Sequence, residues 1–405
     1  MRKVLLILVL LLAGCGVVEG EPETVTVLGP WDPAGREGKA FRATLDRFTE
    51  STGIVVRYQG VRTVNAILRL SDLAGSAPDV AVLSSPAELA RYARDGRLVR
   101  MRRDAGVQEK QWLTLDDPAR PYGVVVKTDL KSLVWYDPKV ETVAAGPFAS
   151  WPDLVERARQ VRTRGGITPW CLGVKSGAES GWPGTDWIED ILLHLFGADD
   201  YERWARGDLA WTSDEVKGAW LAWRDLLTGS GMFRDASRTM LMTGWDEHPP
   251  APCAMEHQGS FLRPDGWRFH PFPGDGSAVS VDVAGLFHDR AAARRLLTFL
   301  ASQEGQQRWT EYAGGTFFSP RQDVKRAEAY RGDELGLLIA DRLAGTSRCL
   351  DASDFMPQAV GTAFSSAVLE FLAEPTDEWL GRILGRLEAV RQAVPRAEWL
   401  PDACS

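Results

Sequence analysis

Tryptophan and carboxylate residues stand together at two points of the sequence. Trp31 and Asp32 are adjacent, and Trp182, Asp186 and Trp187 share one short segment. The flat face of an aromatic ring packs against the aliphatic C–H groups of a sugar ring, while a carboxylate accepts directed hydrogen bonds from hydroxyl groups. The combination therefore indicates binding of a polyhydroxylated ligand. The alternative for Trp31 and Asp32 is a proline-bounded turn in which Asp32 serves the backbone.

The segment around Trp182 has a structural alternative of its own. Thr185 or Asp186 is also placed to cap a helix that begins there. Trp182 itself lies in a Gly-Pro loop and not on a periodic helical face, so core packing explains it less well. Core packing remains the simplest explanation for most of the 16 tryptophans of the chain.

Signatures of catalysis are absent from the sequence. It contains no Gly-x-Ser-x-Gly turn, no His-Glu-x-x-His helix, no phosphate-binding Gly-x-x-x-x-Gly-Lys-Ser/Thr loop and no dinucleotide-binding glycine motif. A carboxylate pair, Asp186 with Glu256 or Asp354, is the best candidate for glycoside hydrolysis, which requires a defined separation of the two groups. We therefore predict a binding protein that is not an enzyme, with a secreted glycoside hydrolase as the alternative.

Strands and helices alternate in the part of the chain that must position these residues. Val25–Leu28, Ile54–Tyr58 and Val80–Leu83 are predicted strands, each followed by a helical segment. This order implies a mainly parallel sheet, whose ligands sit beyond the carboxyl ends of the strands. The rule selects the Trp31-Asp32 loop and Ser85 in the Ser-Ser-Pro turn.

The remainder of the chain predicts a second unit of similar construction. The β-rich passage from Tyr122 to Tyr136 is interpreted as the first crossing between two lobes, with Trp135 as a ligand platform or as inter-lobe packing. Another crossing is predicted near Phe317. Predicted helices include Thr185–Phe196, one capped by Ser213 or Asp214 that carries Trp220 and Trp223, and Ala291–Arg308.

Composition and charge narrow the function further. The 405 residues suffice for two domains, and 44% hydrophobic with 25% charged residues is typical of a globular protein. The formal net charge of −8 argues against nucleic acid as a partner.

His248 and His257 flank Cys253 without the spacing of known zinc motifs. We expect no metal and no cofactor.

The N-terminus predicts export. Met1-Arg2-Lys3 is positively charged, and Val4–Leu12 is an apolar run too short to span a membrane, as in a secretory signal. The run ends in Leu-Ala-Gly-Cys15, which resembles the bacterial lipobox, whose cysteine receives a diacylglycerol. We expect a signal peptide at 1–14 and lipidation of Cys15, with an ordinary signal peptide as the alternative. The lipid would hold the protein on the outer face of the cytoplasmic membrane in the bacterial cell envelope.

The other four cysteines agree with an oxidising compartment. Their even number fits disulfide formation, and four cysteines allow three connectivities. We favour Cys171–Cys253 and Cys349–Cys404, because each pair closes a segment within one proposed lobe.

Three sequence blocks resemble a known family. They are PWCLGVKSGAESGWPGTDW from Pro169, CAMEHQGSF from Cys253 and LDASDFMPQAVG from Leu350. All three are similar to the alpha-glucoside type of extracellular solute-binding protein in the carbohydrate ABC-importer class. The first block is quite specific, and matches spread from Gly29 to about Phe364.

The resemblance implies an α/β, two-lobed, type II periplasmic-binding-protein-like fold, in which each lobe is a mainly parallel sheet flanked by helices and a multi-strand hinge joins them. The implied function is capture of a sugar, such as an alpha-glucoside, between the lobes and delivery to ABC permease and ATPase subunits. A non-sugar solute is a further alternative. We expect a monomer. The expected segments are signal peptide 1–14, lipid-anchored tether 15–23, first lobe 24–130 and 271–318, and second lobe 131–270 and 319–405.

The resemblance adds ligand-binding candidates. Glu256 and Ser260 fall where the wider class delivers groups from its second lobe, Asp354 belongs to the third block, and Phe364 falls where relatives place an aromatic ring against the ligand. Each has an alternative: Glu256 as a surface charge, Asp354 as a helix cap and Phe364 as a core residue.

Overall fold

Two β-sheets organise the chain, and the structure, a computed structural model, describes residues 22–103, 111–235, 237–247, 252–345 and 347–404. The predicted signal peptide, Cys15, most of the tether and His248 lie outside the described residues. The part of the chain around the larger sheet is termed the first lobe, and the part around the smaller sheet the second lobe.

The strands alternate between the two sheets in groups. In chain order they are β1 (Thr24–Gly29), β2 (Val55–Gly60), β3 (Val80–Leu83), β4 (Trp112–Leu113), β5 (Gly123–Leu130), β6 (Leu133–Tyr136), β7 (Thr168–Trp170), β8 (Cys253–His257), β9 (Arg268–Pro271), β10 (Ala278–Leu286) and β11 (Cys349–Leu350). The larger sheet has the order β2-β1-β3-β10-β5-β4, with β11 beside β10, and the smaller sheet has the order β7-β8-β6-β9.

Helices cover the sheets and form much of the second lobe. They are α1 (Arg36–Thr52), α2 (Val64–Leu73), α3 (Pro86–Arg94), α4 (Glu141–Ala144), α5 (Trp151–Arg164), α6 (Trp182–Phe196), α7 (Ala198–Ala205), α8 (Asp214–Gly229), α9 (Met232–Asp235), α10 (Ser237–Met242), α11 (Ala291–Ala301), α12 (Gln303–Ala313), α13 (Arg326–Ala329), α14 (Glu334–Leu343), α15 (Ala352–Phe355), α16 (Gln358–Ala373) and α17 (Asp377–Ala393). No helix among the described residues combines the length and apolar character of a membrane span.

The sheets are mixed, which differs from the mainly parallel sheets that were predicted. β1 is parallel to β2 and β3, as the β-α-β order requires. β10, however, lies antiparallel between β3 and β5, and β6 is antiparallel to both β8 and β9. The reason is the passage between lobes: β5 leads out of the first lobe and β10 leads back into it, so the two strands run in opposite directions.

Three crossings join the lobes in the described chain: from β5 to β6, from β9 to β10, and from β11 to α15. The predicted crossing near Phe317 is wrong in position, because Phe318 still pairs with Thr128 of the larger sheet and β11 pairs with β10. The residue boundaries proposed for the lobes stay a prediction.

Two predicted helices begin or end elsewhere. α6 starts at Trp182 and not at Thr185, because Gly181 in a left-handed conformation and Pro183 in the first turn initiate it earlier. The predicted helix over Ala291–Arg308 is broken at Ser302, whose Oγ accepts a hydrogen bond from Gly305 N–H and so caps α12. The Ser213 cap of α8 and the burial of Trp220 and Trp223 are confirmed.

Both preferred disulfides are present. Cys171–Cys253 joins the segment after β7 to the start of β8, and Cys349–Cys404 joins β11 to the C-terminal segment. The second bond fixes the chain where the third crossing begins. Next to the disulfide, Leu350 N–H donates to Ala403 O at 2.7 Å, and Asp351 is the first residue after β11.

Glu256 of β8 is the basis of a stability prediction. It is 7% exposed, its Oε2 has no hydrogen-bond partner among the described residues, and burial raises its pKa to about 8. A carboxyl group with a raised pKa in the folded state costs stability as pH rises from its unfolded value, near 4.5, towards 8. We expect Glu256→Gln to raise the melting temperature clearly at about pH 9 and little at about pH 5.

Differential scanning calorimetry at both pH values measures this effect. Glu374→Gln, which alters an exposed glutamate just beyond α16, is the matched control and should leave the pH dependence unchanged. Equal pH dependence of the Glu256→Gln variant and the unmodified protein would contradict the prediction.

Candidate ligand-binding site

A cleft of about 560 Å³ opens between the lobes. The first lobe supplies Trp31 after β1, Arg62 and Asn65 after β2, and Ser84 and Ser85 after β3, all beyond the carboxyl ends of parallel strands. The second lobe supplies the start of α6 and residues of α15 and α16. The cleft therefore lies at the edge of the larger sheet that the strand order selects.

Three aromatic rings form the apolar part of the cleft and are termed the three-ring cluster. Trp182 lies 5.4 Å from Trp245 and 6.0 Å from Phe261 between ring centroids, and Trp245 lies 6.0 Å from Phe261. Trp182 and Phe261 are half-buried, so part of each ring faces the cleft. Such rings offer the apolar surface on which the C–H face of a sugar packs.

Gly181 sets the position of Trp182. Its φ is 105°, and a Cβ there would lie 2.0 Å from the backbone oxygen of Ser365 in α16. Only glycine permits both the left-handed backbone and this close approach. Within the first turn of α6, Thr185 Oγ1 donates to Trp182 O at 2.8 Å. Thr185 and Asp186 thus lie inside the helix and do not cap it.

Lys131 pairs with two carboxylates at the hinge side of the cleft. Its Nζ lies 2.7 Å from Asp186 and 3.1 Å from Asp351, and all three side chains are buried. Burial disfavours the ammonium, but the two carboxylates outweigh it and raise the pKa of Lys131. Lys131 therefore stays charged and serves as the counter-ion that a buried carboxylate needs.

The pKa values of the two carboxyl groups are shifted in opposite directions. Burial raises the pKa of Asp186 to about 8 although Lys131 opposes the rise. For Asp351, burial is outweighed by Lys131 and by the hydroxyl of Ser353, and the pKa is lowered. Both groups accept a hydrogen bond from Lys131, and carboxyl oxygens of this kind are able to accept hydrogen bonds from hydroxyl groups as well.

Asp354 presents a further carboxyl group to the cleft. Its side chain lines the cleft and makes no hydrogen bond in the part of the chain that the structure describes. Burial, followed by the charge of Asp351, raises its pKa well above the usual range. Its backbone oxygen accepts a hydrogen bond from Ser85 Oγ at 2.7 Å, which ties α3 of the first lobe to α15.

Lys127 organises a similar cluster in the first lobe. Its Nζ pairs with Asp129, lies 3.1 Å from Glu37 and lies 3.8 Å from Asp282. Burial raises the pKa of Asp129 to about 7. Ser260 Oγ donates to Asp129 Oδ1 at 2.9 Å, so Ser260 supports this cluster from behind.

Five of the eleven predicted ligand-binding residues line the cleft: Trp31, Ser85, Trp182, Asp186 and Asp354. Six are absent from its lining: Asp32, Trp135, Trp187, Glu256, Ser260 and Phe364. For Asp32, Trp135 and Phe364, the structure agrees with the structural role that the sequence analysis gave as the alternative to ligand binding.

Asp32 and Trp135 have structural partners. Asp32 is exposed, and its Oδ1 accepts from Ala34 N–H at 2.8 Å, as expected of a turn residue. Trp135 is fully buried, and its Nε1 donates to Gln258 O at 3.0 Å. It packs at the hinge in one buried cluster with Phe318 and Ile339 of the first lobe, which agrees with the alternative of inter-lobe packing.

Trp187 and Phe364 belong to the core. Trp187 is 1% exposed and packs edge-to-face against Trp170 at 4.8 Å. It lies one residue beyond Asp186 in α6, so it points to another side of the helix. Phe364 is fully buried and contacts Trp211 at 4.9 Å. Glu256, predicted as a possible surface charge, is instead buried in β8.

Sequence reasoning missed Lys127, Lys131, Asp129, Arg62 and Trp245. The first three stand in the segment Val-Lys-Thr-Asp-Leu-Lys, where charged residues interrupt an apolar strand. A buried strand carries charge only with partners, so this interruption was a usable signal. No comparable local pattern marks Arg62 or Trp245.

Asp186, Glu189 and Asp351 also have the spacing of a metal-ligand group among the described residues. Lys131 already pairs with Asp186 and Asp351, and Glu189 accepts from Ala352 N–H at 2.8 Å and from Ser353 N–H at 3.1 Å. The positive charge that these carboxylates require therefore comes from the protein itself, and their geometry holds α15 in place.

Comparison with known proteins gives consistent relatives, although no family model matches the chain. The osmoprotective compounds-binding protein GgtB of Synechocystis sp. is 30% identical over 381 residues, which cover 86% of this chain and 88% of that protein. The alpha-glucosides-binding periplasmic protein AglE of Rhizobium meliloti is 27% identical over 397 residues, which cover 86% and 83%.

A solved structure supports the fold. The bacterial solute receptor AcbH, described as having an exclusive preference for β-D-galactopyranose, superimposes with a TM-score of 0.75 at 17% identity, covering 92% of this chain and 98% of the receptor. The predicted α/β, two-lobed type II fold is thereby confirmed. Because a relative with 30% identity spans most of both chains, the chain belongs to the family of extracytoplasmic solute-binding proteins of carbohydrate ABC importers.

Proposed function

We propose that the protein captures a neutral sugar, an alpha-glucoside, in the cleft between its lobes and delivers it to the permease and ATPase subunits of an ABC importer. The observation that carries the proposal is the three-ring cluster beside the Lys131–Asp186–Asp351 group, in a cleft walled by both lobes. Rings for sugar C–H faces and carboxyl groups for hydroxyls meet there.

The charges of the cleft favour a neutral ligand. Eight carboxyl groups and four basic side chains line it, which disfavours an anionic solute. A cationic osmolyte is disfavoured for another reason. Arg62 stands 4.3 Å from the centroid of Trp245, and the Lys131 ammonium stands 5.0 Å from that of Trp182, so positive charges of the protein lie beside the rings and repel a cationic ligand.

Closure of the lobes retains the ligand in this proposal. Residues of both lobes line the cleft, and a ligand that touches both stabilises the closed form. The closed surface is then recognised by the membrane subunits. We further propose lipidation of Cys15 as the membrane anchor, a monomeric state, and lobe boundaries at 130/131 and 270/271, with the third boundary after β11.

Binding without hydrolysis is supported by the positions of the acidic residues. Of the carboxylates considered for hydrolysis, Glu256 lies outside the cleft lining, and Asp186 is paired with Lys131. A general acid and a nucleophile must both flank the scissile bond. Asp354 is the remaining candidate, and neither Asp186 nor Glu256 is placed to serve as its second catalytic carboxyl group.

Isothermal titration calorimetry with a ligand panel tests the proposal. The panel contains alpha-linked glucosides, their beta-linked isomers, galactosides and a zwitterionic osmoprotectant, because GgtB is named for osmoprotective compounds. We expect micromolar or tighter binding of an alpha-glucoside. Binding of the osmoprotectant alone, or of no member of the panel, would overturn the assignment.

Removal of the Trp182 ring should weaken sugar binding. We expect Trp182→Ala to lose about 1–3 kcal/mol of affinity, the range for a buried aromatic contact. Trp379→Ala removes a partly exposed ring of α17 outside the cleft and should bind like the unmodified protein. Equal affinity of the two variants, measured by calorimetry, would show that Trp182 only packs.

Bound sugar should be recovered intact. We expect no smaller sugars after prolonged incubation of the protein with malto-oligosaccharides, because Asp186 is paired with Lys131 and Glu256 lies outside the cleft lining. Anion-exchange chromatography with amperometric detection measures the products. Release of glucose that disappears in an Asp354→Asn variant would identify a hydrolase instead.

Cys15 should determine membrane attachment. We expect the unmodified protein in the membrane fraction of the expressing bacterium and Cys15→Ala in a soluble or unprocessed form, since one acylated cysteine is the predicted anchor. Fractionation followed by mass spectrometry of the N-terminus checks this. An unacylated mature N-terminus in the unmodified protein would indicate an ordinary signal peptide.

A further inference from the structure

Arg62 reaches from the first lobe to the second at the mouth of the cleft. It lies between β2 and α2, and its guanidinium carbon stands 4.3 Å above the ring centroid of Trp245, which follows α10 in the second lobe. The side chain is exposed and forms no ion pair within the described chain. Its ring contact is therefore a direct cation–π bridge between the lobes.

The backbone before Arg62 is firmly held. Gly60 ends β2 so close to the Trp31 loop that a Cβ would lie 1.9 Å from Trp31 O. Tyr58 Oη donates to the same oxygen at 2.7 Å, and Val61 N–H donates to Gly29 O at 2.9 Å. Arg62 thus extends from a rigid part of the first lobe, although its own side chain is exposed.

Trp245 is held equally well on the other side. Trp245 N–H donates to Lys175 O at 3.1 Å, and Gly244 N–H donates to Glu247 Oε2 at 2.9 Å. A Cβ on Gly173 would lie 2.4 Å from Gly244 O, so this segment packs tightly against the loop after β7. The ring is 8% exposed and belongs to the three-ring cluster.

The charge of Arg62 influences one carboxyl group in each lobe. Glu179 lies in the short helical turn Gly177–Glu179 of the second lobe, and Asp282 lies in β10 of the first. Burial raises the pKa of both groups, and the charge of Arg62 opposes each rise. The positive charge therefore interacts with both walls of the cleft mouth.

We propose that Arg62 is a cross-lobe latch, a positioning residue that holds the mouth of the cleft closed through its contact with the Trp245 ring. Arg62 bridges the rigid segments on either side, so the contact breaks when the lobes separate. The effect on ligand retention rests on the proposed function, whereas the effect on the ligand-free protein does not.

The ligand-free protein provides the first test. Hydrogen–deuterium exchange with mass spectrometry is measured on the full exported protein, comparing Arg62→Ala with Arg69→Ala. Arg69 lines the same rim from α2 but pairs with Glu88 of its own lobe at 3.8 Å. We expect faster exchange at residues 174–181 in Arg62→Ala only, by about fivefold, as loss of one partly exposed cation–π contact predicts.

Ligand release provides the second test. With a sugar found by the calorimetric panel, stopped-flow tryptophan fluorescence should show an about fivefold faster dissociation rate for Arg62→Ala and a nearly unchanged association rate. Arg62→Lys should release the sugar more slowly than Arg62→Ala, because an ammonium also binds a ring face. Trp245→Phe keeps a ring at this position and should likewise give a dissociation rate between those of the unmodified protein and Arg62→Ala.

The latch proposal is overturned if Arg62→Ala and Arg69→Ala show the same rate of hydrogen–deuterium exchange and the same rate of sugar dissociation. It is also overturned when the effects of Arg62→Ala and Trp245→Ala are additive in the double variant, because residues in direct contact should be coupled. Absence of any sugar binding together with faster exchange in Arg62→Ala rejects the proposed ligand and retains the latch.

Discussion

The buried ammonium of Lys131 is the interaction on which the two-lobed arrangement depends. Lys131 lies between β5 and β6, in the first crossing, and pairs with Asp186 of α6 and with Asp351 directly after β11, in the third crossing. Its backbone N–H donates to Ala278 O at 2.8 Å, in the second crossing. One residue thus joins all three crossings, and removal of its charge would leave two buried carboxylates without a counter-ion.

Ser132 extends the same connection into the second lobe. Its Oγ accepts from Ala278 N–H at 2.7 Å and donates to Asp190 of α6, which also pairs with His257 of β8 at 2.6 Å. Asp186 and Asp190 lie one helical turn apart on α6, so the helix that carries Trp182 is fixed at two points to the hinge. The hinge and the wall of the candidate site are therefore one hydrogen-bonded unit.

Local sequence patterns predicted the features that depend on neighbouring residues. The strand–helix alternation from Val25 to Arg94 and the Ser213 cap are of this kind and are confirmed. Both disulfide pairs are confirmed as well, but they were predicted from the proposed lobes and not from a local pattern. Trp182 was separated from the core tryptophans because it lies in a Gly-Pro segment, and it lines the cleft.

Features that depend on distant packing were not predictable in this way. Trp187 stands five residues from Trp182, yet it packs in the core, because the side of a helix that faces the ligand is decided by which other elements cover the remaining sides. The antiparallel course of β10 follows from a return across the hinge that no short pattern records. Arg62 and Trp245 meet only because two lobes approach each other, 183 residues apart in sequence.

The contacts at the hinge and at the mouth of the cleft differ in the free energy needed to break them. At the hinge, Lys131, Asp186 and Asp351 are buried, and separating them would strand charges in a medium of low dielectric constant. At the mouth, Arg62 is exposed, and water replaces its contact with Trp245 at small cost. Separation of the lobes at the mouth therefore costs less than separation at the hinge, where Lys131 and Ser132 bind residues of both lobes.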